Sequence, residues 1–400
     1  MTQRLLSLSN GHGEDLNASL VLRSLQALIP SLTFAAMPLV GRGKAYRRSD
    51  IPVVGPTTSL PSGGLIYTHP FNYLKDVLNG LICLTWQQLK AVRRCSRTCH
   101  LLLATGDIVP ILMAYLTGRP YAAFLVSTSS FYEGRLRLPL VTKFCLRSRR
   151  CLQIFTRDAY TAQDLNRQGF TKAVFAGYPI MDVLTPTGRN LGIDPALPMI
   201  ALLPGSRLPE ALENLKLQLR LCEQVRHLQK AQFCAALVPS IGEADLQAIA
   251  AAIAWQYTPG KLTKVLDQNI VIEAYCYRDA FADILHQCSL AIGMAGTAVE
   301  QAVGLGKPVV QIPGVGPQFT YQFAEAQMRL LGRSVQTVGR RRADRHTLQL
   351  AARCVAETLQ DSAYLASCRT NGYERVGKAG GSAAIAQQLQ RLLAEISADE

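Results

Sequence analysis

Short apolar runs alternate with amphipathic, helix-like stretches along the whole of this 400-residue sequence. The apolar runs have the length of buried strands, as in RLLSLS, TCHLLLAT, YAAFLVS, MIALLPGS and KPVVQIP. Helices placed between successive strands predict βαβ units, in which neighbouring strands run parallel. The pattern therefore predicts the α/β class, with parallel sheets.

The segment 178–198, YPIMDVLTPTGRNLGIDPALP, interrupts this alternation and is rich in Pro and Gly. A chain of 400 residues also exceeds what one hydrophobic core usually serves. We therefore expect a first domain over 1–180, a linker over 181–198 and a second domain over 199–378. A final amphipathic helix, 379–400, is expected to cross back to the first domain. Because ligands bind beyond the carboxyl ends of parallel strands, two such domains predict an interdomain cleft.

Positive charge is concentrated in the first half of the chain. The formal net charge is +14, and residues 1–200 contain 22 Lys and Arg against 10 Asp and Glu, whereas residues 201–400 contain 20 against 18. Basic clusters lie beside the amphipathic segment 71–92, a combination that suits an anionic membrane surface, although solvated faces would also explain them. A nucleic-acid partner is not expected, because no binding motif is present and aromatic residues make up only 7%.

The beginning of the chain, MTQRLLSLSNGHGED, does not have the pattern of a secretory signal. We therefore expect a cytoplasmic protein that associates peripherally with the cytoplasmic face of a membrane. The apolar stretch 101–118 contains Asp107 and Pro110, which favour a strand, a turn and a helix over a membrane span. Eleven cysteines without a CxxC pair predict reduced thiols and no metal site.

The segment ALLPGSRLPEALENL reads as a strand, a tight turn and a helix. Backbone amides of the turn at Gly205 and Ser206, the helix N-terminus and the Arg207 guanidinium would converge on one place and suit a diphosphate. An ordinary strand-to-helix turn with a solvated arginine is the alternative.

A second phosphate-compatible loop lies in LAIGMAGTAVEQAVGLGKPVVQIP. Gly296 would let the backbone approach a ligand, Thr297 is expected to cap the helix, and Glu300 one turn later could accept both hydroxyls of a ribose. The alternative is a glycine-rich turn with a surface glutamate. Farther along, Gln318 and Gln322 could bind the hydroxyls of a sugar, or simply begin an exposed polar helix.

The first strand leads into SLSNGHGEDLNAS, which does not meet the GxGxxG pattern of dinucleotide-binding proteins. Gly11 and Gly13 are expected to keep side chains away from a narrow ligand site, and Glu14 and Asp15 to favour the positive helix N-terminus. His12 would then project toward the ligand. We interpret these residues as an acceptor loop.

These motifs resemble lipid-A-disaccharide synthases and, more loosely, other nucleotide-sugar glycosyltransferases of the GT-B fold. The resemblance rests on LLPGSR, GTAVEQA, AGYPIMD and TGDIVPI. It implies two Rossmann-like domains facing a cleft, a UDP-sugar donor, and no tightly bound cofactor or metal. The implied acceptor is a lipid-linked sugar or glycolipid, and the expected transfer inverts the anomeric centre.

Such a transfer needs a base for the acceptor hydroxyl, and Asp107 and His12 are the candidates. The alternatives are a helix cap for Asp107 and a backbone-bonded loop residue for His12. A UDP-sugar 2-epimerase-like enzyme and a catalytically silent nucleotide-sugar-binding module remain alternative functions. The donor sugar, the acceptor lipid and the oligomeric state cannot be read from these residue types.

Overall fold

A computed structural model describes residues 3–57, 81–266, 270–314, 316 and 320–399. The chain forms two compact units, one of Met1–Asp182 with Ala379–Glu400, the other of Val183–Lys378. The segment 181–198 was expected to be a linker, but its residues from Val183 onward belong to the second unit. The backbone amides of Thr187 and Gly188 donate to Oδ1 of Asp283 at 2.8 and 2.9 Å, which fastens this segment to the second unit.

The first unit is built around a six-stranded parallel sheet of order β2-β1-β3-β4-β5-β6. Its strands are β1 (Arg4–Ser9), β2 (Thr33–Pro38), β3 (Leu101–Thr105), β4 (Tyr121–Leu125), β5 (Cys151–Thr156) and β6 (Ala173–Val174). Every residue of β3 and β4 is buried, as expected for parallel strands covered by helices on both faces. The helices are α1 (His12–Leu28), α2 (Lys44–Arg48), α3 (Leu81–Ser96), α4 (Ile108–Leu116), α5 (Leu140–Arg147), α6 (Ala159–Arg167) and the C-terminal α14 (Gly381–Asp399).

The second unit contains an eight-stranded sheet of order β14-β13-β12-β7-β8-β11-β10-β9. Its strands are β7 (Met199–Leu203), β8 (Gln232–Ala236), β9 (Gln256–Thr258), β10 (Lys261–Val265), β11 (Val271–Tyr277), β12 (Leu290–Gly293), β13 (Val309–Gln311) and β14 (Val335–Thr337). Its helices are α7 (Glu210–Leu228), α8 (Glu243–Ala252), α9 (Phe281–Gln287), α10 (Thr297–Gly304), α11 (Tyr321–Leu331), α12 (Arg345–Gln360) and α13 (Ser362–Arg375).

The parallel first sheet and the parallel strands of the second sheet confirm the predicted α/β class. The β9–β10 hairpin is an addition that the strand pattern did not predict, since it pairs antiparallel with β11 at the edge of the second sheet. The stretch 101–118 is β3 followed by α4, as predicted. Within the described ranges, no helix combines the length and apolarity that crossing a membrane requires.

The C-terminal helix α14 is anchored within the first unit, where it packs against α1. The Asp182 carboxylate accepts hydrogen bonds from the backbone amides of Gly380 at 2.5 Å and Ser382 at 2.7 Å, and from the Ser382 hydroxyl. Gly177, at φ +101°, passes so close to Gly381 that a Cβ would lie 2.6 Å from the Gly381 Cα. Residue 177 therefore has to be glycine, because it lies against the start of the final helix.

Candidate functional site

Among the described parallel strands, the strand order reverses once in each sheet. In the first sheet β1 lies between β2 and β3, and in the second β7 lies between β8 and β12. The carboxyl ends at such a reversal border a crevice where ligands of α/β proteins commonly bind. The loops after β1 and β3 hold residues 10–11 and 106–107, and His12 and Gly13 begin the helix that follows β1; the loops after β7 and β12 hold 204–209 and 294–296. Each unit therefore brings two of the predicted motifs to one place.

In the second unit the two loops begin side by side, because the Met294 amide donates to the Leu203 carbonyl at 2.8 Å. Gly205 has φ +100°, a conformation that favours glycine, and Arg207 follows it half-buried. The buried Asn214 side chain, on α7, donates to the carbonyl of Pro204 at 3.0 Å and so fixes the start of the turn. The strand, turn and helix predicted around Gly205, Ser206 and Arg207 are present, with α7 beginning at Glu210.

Helix α10 begins at Thr297, and the residue at its N-cap is Gly296, which provides no side-chain cap. The expectation that Thr297 caps this helix was therefore wrong by one position. Without a capping side chain, the first-turn amides depend on other acceptors, since a helix cannot satisfy them internally. Glu300 is half-buried in this first turn.

Of the two glutamines that were predicted to bind a sugar, the structure describes only Gln322. Gln318 lies outside the described residues. Gln322 is exposed in the first turn of α11, which the Thr320 hydroxyl caps by accepting from the Phe323 amide at 3.3 Å. The first turn of α11 therefore presents Gln322 to solvent.

In the first unit, α1 begins at His12 with Gly11 as its N-cap residue. The His12 side chain is exposed, and its Cε1 atom lies 3.0 Å from where a Cβ on Gly41 would stand. Gly41 has φ +81°, so both its conformation and this contact favour glycine. The imidazole therefore rests against the loop after β2.

Glu14 lies in the first turn of α1, which follows the carboxyl end of β1. Its Oε1 atom accepts from the Ser127 hydroxyl at 2.5 Å, and its Oε2 atom lies only 2.2 Å from where a Cβ on Gly11 would stand. Gly11 therefore makes room for the Glu14 carboxylate. Gly13 has no described neighbour within 4 Å of a Cβ position, so it leaves open space beside the loop.

Asp107 caps α4 by accepting from the Val109 amide at 2.9 Å. Burial raises the pKa of its carboxyl, the Val109 hydrogen bond opposes that effect, and the charge of Glu14 adds to it. The structure thus brings Asp107 and Glu14 into one electrostatic environment. Asp107 therefore has the capping role that was the alternative to a catalytic one. A further role as the base stays a prediction.

Asp15 is placed differently from the acceptor-facing position expected for it. It is 1% exposed and its Oδ1 atom accepts from the Ser9 hydroxyl at 2.6 Å, while the Ser9 oxygen lies 2.7 Å from the buried Tyr46 hydroxyl. Burial raises the pKa of Asp15 to about 7, opposed by the Ser9 hydrogen bond and assisted by Glu14. The reason is helical geometry: one residue after Glu14, the side chain turns inward onto β1.

Sequence comparison finds curated relatives over part of the chain. The lipid-A-disaccharide synthase of Geobacter sulfurreducens is 28% identical over 163 residues, which are 39% of this chain and 38% of that protein. The synthase of Syntrophotalea carbinolica is 24% identical over 243 residues, 56% of this chain and 57% of that protein. No protein-family model matches the chain.

Solved structures match over nearly the whole chain. CalG4, the calicheamicin glycosyltransferase, superposes with a TM-score of 0.63 at 14% identity, covering 98% of this chain and 99% of its own. The UDP-GlcNAc 2-epimerase from Neisseria meningitidis bound to UDP-GlcNAc gives 0.58 at 13% identity, covering 97% and 100%. The chain has the GT-B fold, and part of its sequence is similar to lipid-A-disaccharide synthases. The structural likenesses establish the fold alone, and the chain spans only 38% and 57% of the two synthases.

Two motifs behind the resemblance to the synthases have structural roles in this GT-B protein. The segment AGYPIMD ends in Asp182, which anchors α14, and TGDIVPI contains Asp107, which caps α4. The nearest approach to metal-ligand spacing is also used structurally: the Cys99 thiol donates to the Cys95 carbonyl, and His100 Nδ1 accepts from a backbone amide. Among the described residues, no cluster of three or more His, Cys, Asp or Glu is placed to hold a metal ion.

One feature of this GT-B protein was missed by sequence reasoning. A depression of about 770 Å³ lies at the carboxyl ends of β8 and β11, lined by Pro239, Lys261, Tyr277 and Arg278 among others. Nε of Arg278 donates to the Ile241 carbonyl at 2.6 Å, whereas its buried Nη2 finds no hydrogen-bond partner among the described residues. The local signal was Arg278, which directly follows β11.

Proposed function

We propose that this protein is a glycosyltransferase that moves a sugar from a UDP-sugar to a lipid-linked or glycolipid acceptor. The observation that carries the proposal is the pairing of two anion-compatible loops, at Arg207 and at the N-terminus of α10, on adjacent parallel strands at a reversal of strand order. Relatedness to lipid-A-disaccharide synthases and a structural neighbour bound to UDP-GlcNAc support the choice of chemistry.

The second unit would bind the donor. The first-turn amides of α10 and the guanidinium of Arg207 supply positive potential for a diphosphate. Glu300 would accept the ribose hydroxyls, and Gln318 and Gln322 would contact the sugar. The depression beside Tyr277 and Arg278 has the size and mixed polarity to hold the nucleoside. Because these groups offset the charge of the departing UDP, we propose that transfer needs no tightly bound metal or cofactor.

The first unit would supply the acceptor chemistry. The acceptor oxygen attacks the anomeric carbon, the bond from that carbon to the UDP oxygen breaks, and the acceptor proton passes to Asp107 or His12. Attack from the face opposite the leaving group inverts the anomeric centre. The raised pKa of Asp107 brings its proton affinity closer to the range in which general bases act efficiently.

Arg207→Ala is expected to weaken UDP binding by about 1.5–3 kcal/mol, or about 10- to 150-fold, because a charge-assisted contact is lost. Arg220→Ala, at an exposed position on α7, the helix that follows the Arg207 turn, is the matched control and should leave the affinity unchanged. Glu300→Ala should remove the preference for UDP over 2′-deoxy-UDP. Isothermal titration calorimetry measures all three variants, and wild-type affinities in both Arg207→Ala and Glu300→Ala would exclude this donor site.

A surface on the first unit supports a membrane-bound acceptor. Helices α3, α4 and α5 carry large apolar side chains that are exposed to solvent, and we call this surface the apolar patch. Its members are Trp86, Leu116, Leu140, Val141 and Phe144. Leu140 is 83% exposed and Phe144 is 63% exposed. Cations border it: the Lys90 Nζ lies 5.3 Å from the Trp86 ring centroid, and Arg93 donates to the Leu116 carbonyl. On a membrane surface, the apolar side chains would insert among the acyl chains while the surrounding cations bind anionic lipid headgroups. Residues 71–80 of the amphipathic segment lie outside the described residues.

The double variant Leu140→Ser, Phe144→Ser is expected to bind phosphatidylglycerol vesicles at least about tenfold more weakly, since each lost side chain removes about 1.5–3 kcal/mol of apolar burial. Binding of the wild type should also fall as salt rises, because exposed charges are screened. Val265→Ser, at a 62% exposed position on the second unit, is the control. Equal sedimentation of wild type with neutral and anionic vesicles would contradict the electrostatic part of this proposal.

A 2-epimerase is the second candidate, because a UDP-GlcNAc 2-epimerase aligns with nearly the whole chain. Incubation with a panel of radiolabelled UDP-sugars, with and without total membrane lipid, separates the two. Label that enters lipid only when acceptor is present supports the transferase. Conversion of the UDP-sugar without acceptor supports the epimerase, and UDP binding without turnover supports a silent binding module.

A further inference from the structure

A chain of buried side-chain hydrogen bonds lies directly behind the first turn of α10. The Nε2 atom of Gln327, on α11, donates to the carbonyls of Ala295 and Gly296, each at 3.2 Å. Its Oε1 atom accepts from the side-chain amide of Gln311, at the end of β13. Gln311 in turn accepts from the Thr337 hydroxyl on β14 at 3.1 Å. Both glutamines are 4% exposed, so the chain is almost entirely removed from water.

These bonds fix the direction of two peptide groups. In a planar trans peptide the carbonyl of one residue and the amide of the next point in opposite directions. When Gln327 holds the carbonyls of Ala295 and Gly296 on the buried side, the amides of Gly296 and Thr297 are turned to the opposite side. Those amides belong to the start of α10, where the proposed donor phosphate would bind.

The arrangement also resists deformation. A buried polar group without its partner costs about 1–3 kcal/mol, which opposes rotation of the Ala295 carbonyl away from Gln327. The Gly296 carbonyl also accepts from the amides of Val299 and Glu300, so α10 and Gln327 together set its direction. Gln327 is itself held by Gln311, and Gln311 by Thr337, from two other strands of the sheet. The same helix α11 presents Gln322 near its start. One buried side chain thus connects the two elements to which donor contacts are assigned.

We propose that Gln327 is a positioning residue that aims the amides of Gly296 and Thr297 at the donor diphosphate. This inference rests on the proposed function, because it assigns the reason why the α10 N-terminus binds phosphate. It differs from a general packing role in one respect: its loss should affect the phosphate groups of a ligand and not the nucleoside.

The test compares Gln327→Met with Gln218→Met. Gln218 is also a buried glutamine on a helix, and it donates to a β12 carbonyl, that of Ile292, at 3.0 Å, before the donor loop begins. Both variants remove a buried donor and keep the side-chain length, so comparable losses of thermal stability are expected. Affinities for UDP are measured by calorimetry and those for uridine by ligand-observed NMR.

Gln327→Met should bind UDP about tenfold more weakly and uridine within about twofold of wild type, because about one hydrogen bond's worth of phosphate contact is lost. Gln218→Met should stay within about twofold for both ligands. UDP affinity within twofold of wild type in Gln327→Met, or equal losses for UDP and uridine, would overturn the inference. If Gln327→Met does not fold, Thr337→Val is measured instead: a selective loss for UDP supports the inference and unchanged binding overturns it.

The outcomes also separate this inference from the proposed function. If UDP binds the wild type and Arg207→Ala weakens it while Gln327→Met does not, only the role of Gln327 fails. If the wild type does not bind UDP at all, the donor site fails, and the role of Gln327 fails with it.

Discussion

Asp107→Asn is expected to slow sugar transfer by about 10²–10⁴-fold while UDP affinity stays close to that of the wild type, because general-base contributions are of this size. Asparagine keeps the oxygen that caps α4 and is as good an N-cap as aspartate, so the fold is preserved. Only the ability to take a proton is lost. Transfer by the wild type should rise with pH through the raised pKa of Asp107, since the base acts when deprotonated.

Asp158→Asn is the matched control for this prediction. Asp158 is a buried N-cap aspartate in the same unit, and it accepts from the Thr161 amide at 2.7 Å. Its replacement should leave the transfer rate unchanged. Initial rates with radiolabelled UDP-sugar and lipid acceptor provide the measurement for each variant.

His12→Ala decides between the two candidate bases. Loss of rate in Asp107→Asn alone leaves His12 as an acceptor-positioning residue, and loss in His12→Ala alone leaves Asp107 as a cap. Comparable losses in both indicate that the carboxylate and the imidazole act together. Wild-type rates in both variants would remove the base from these two loops.

The stability that Asp15 confers is expected to decline as pH rises. Its carboxyl has a pKa of about 7 in the fold against an ordinary value of 3.8, so the folded state holds the proton more tightly than the unfolded state. The contribution is therefore complete below about pH 4 and is lost as pH rises through 7. Relative to Asp15→Asn, the unfolding free energy of the wild type should fall by on the order of 4 kcal/mol between pH 4 and pH 8.

Urea denaturation of both proteins across this pH range measures the change, and carbon-13 NMR of the Asp15 carboxyl measures its titration directly. Asp164→Asn is a control with the opposite sign. Burial raises the pKa of Asp164, but hydrogen bonds from the Leu136 amide and the Ser130 hydroxyl outweigh it and lower the pKa overall. Wild-type stability relative to that variant should rise with pH. An Asp15 titration midpoint near 4 would contradict the prediction.

The sequence by itself determined the α/β class and the position of most strands. Hydrophobic periodicity is a local property of the sequence. Apolar runs such as those at β1, β3, β7 and β12 can therefore be recognised without knowing which strands pair with them. Edge elements were harder to predict: β2, β14 and the β9–β10 hairpin are partly exposed or short. A Pro-Gly pair at 259–260 was the local signal for the hairpin turn.

The motifs themselves were also legible in the sequence. A glycine-containing turn between a strand and a helix is recognisable from residue types alone, as at Gly205 and Gly296. The roles assigned to Arg207, Glu300, Asp107 and the other candidate site residues stay predictions, because they concern contacts with ligands and with a transition state. Chemistry of that kind depends on distances that residue types do not encode.

Only the tertiary structure decided which motifs are neighbours. The order β12-β7-β8 and the order β2-β1-β3 arise from packing between segments far apart in the chain, and local pattern carries no record of that packing. The same packing buried the Asp15 side chain between α1 and β1, fastened 183–198 to the second unit, and placed Gln327 behind a loop about thirty residues away. A buried polar side chain looks like a surface one in sequence, since its partners are chosen by the fold and not by its neighbours along the chain.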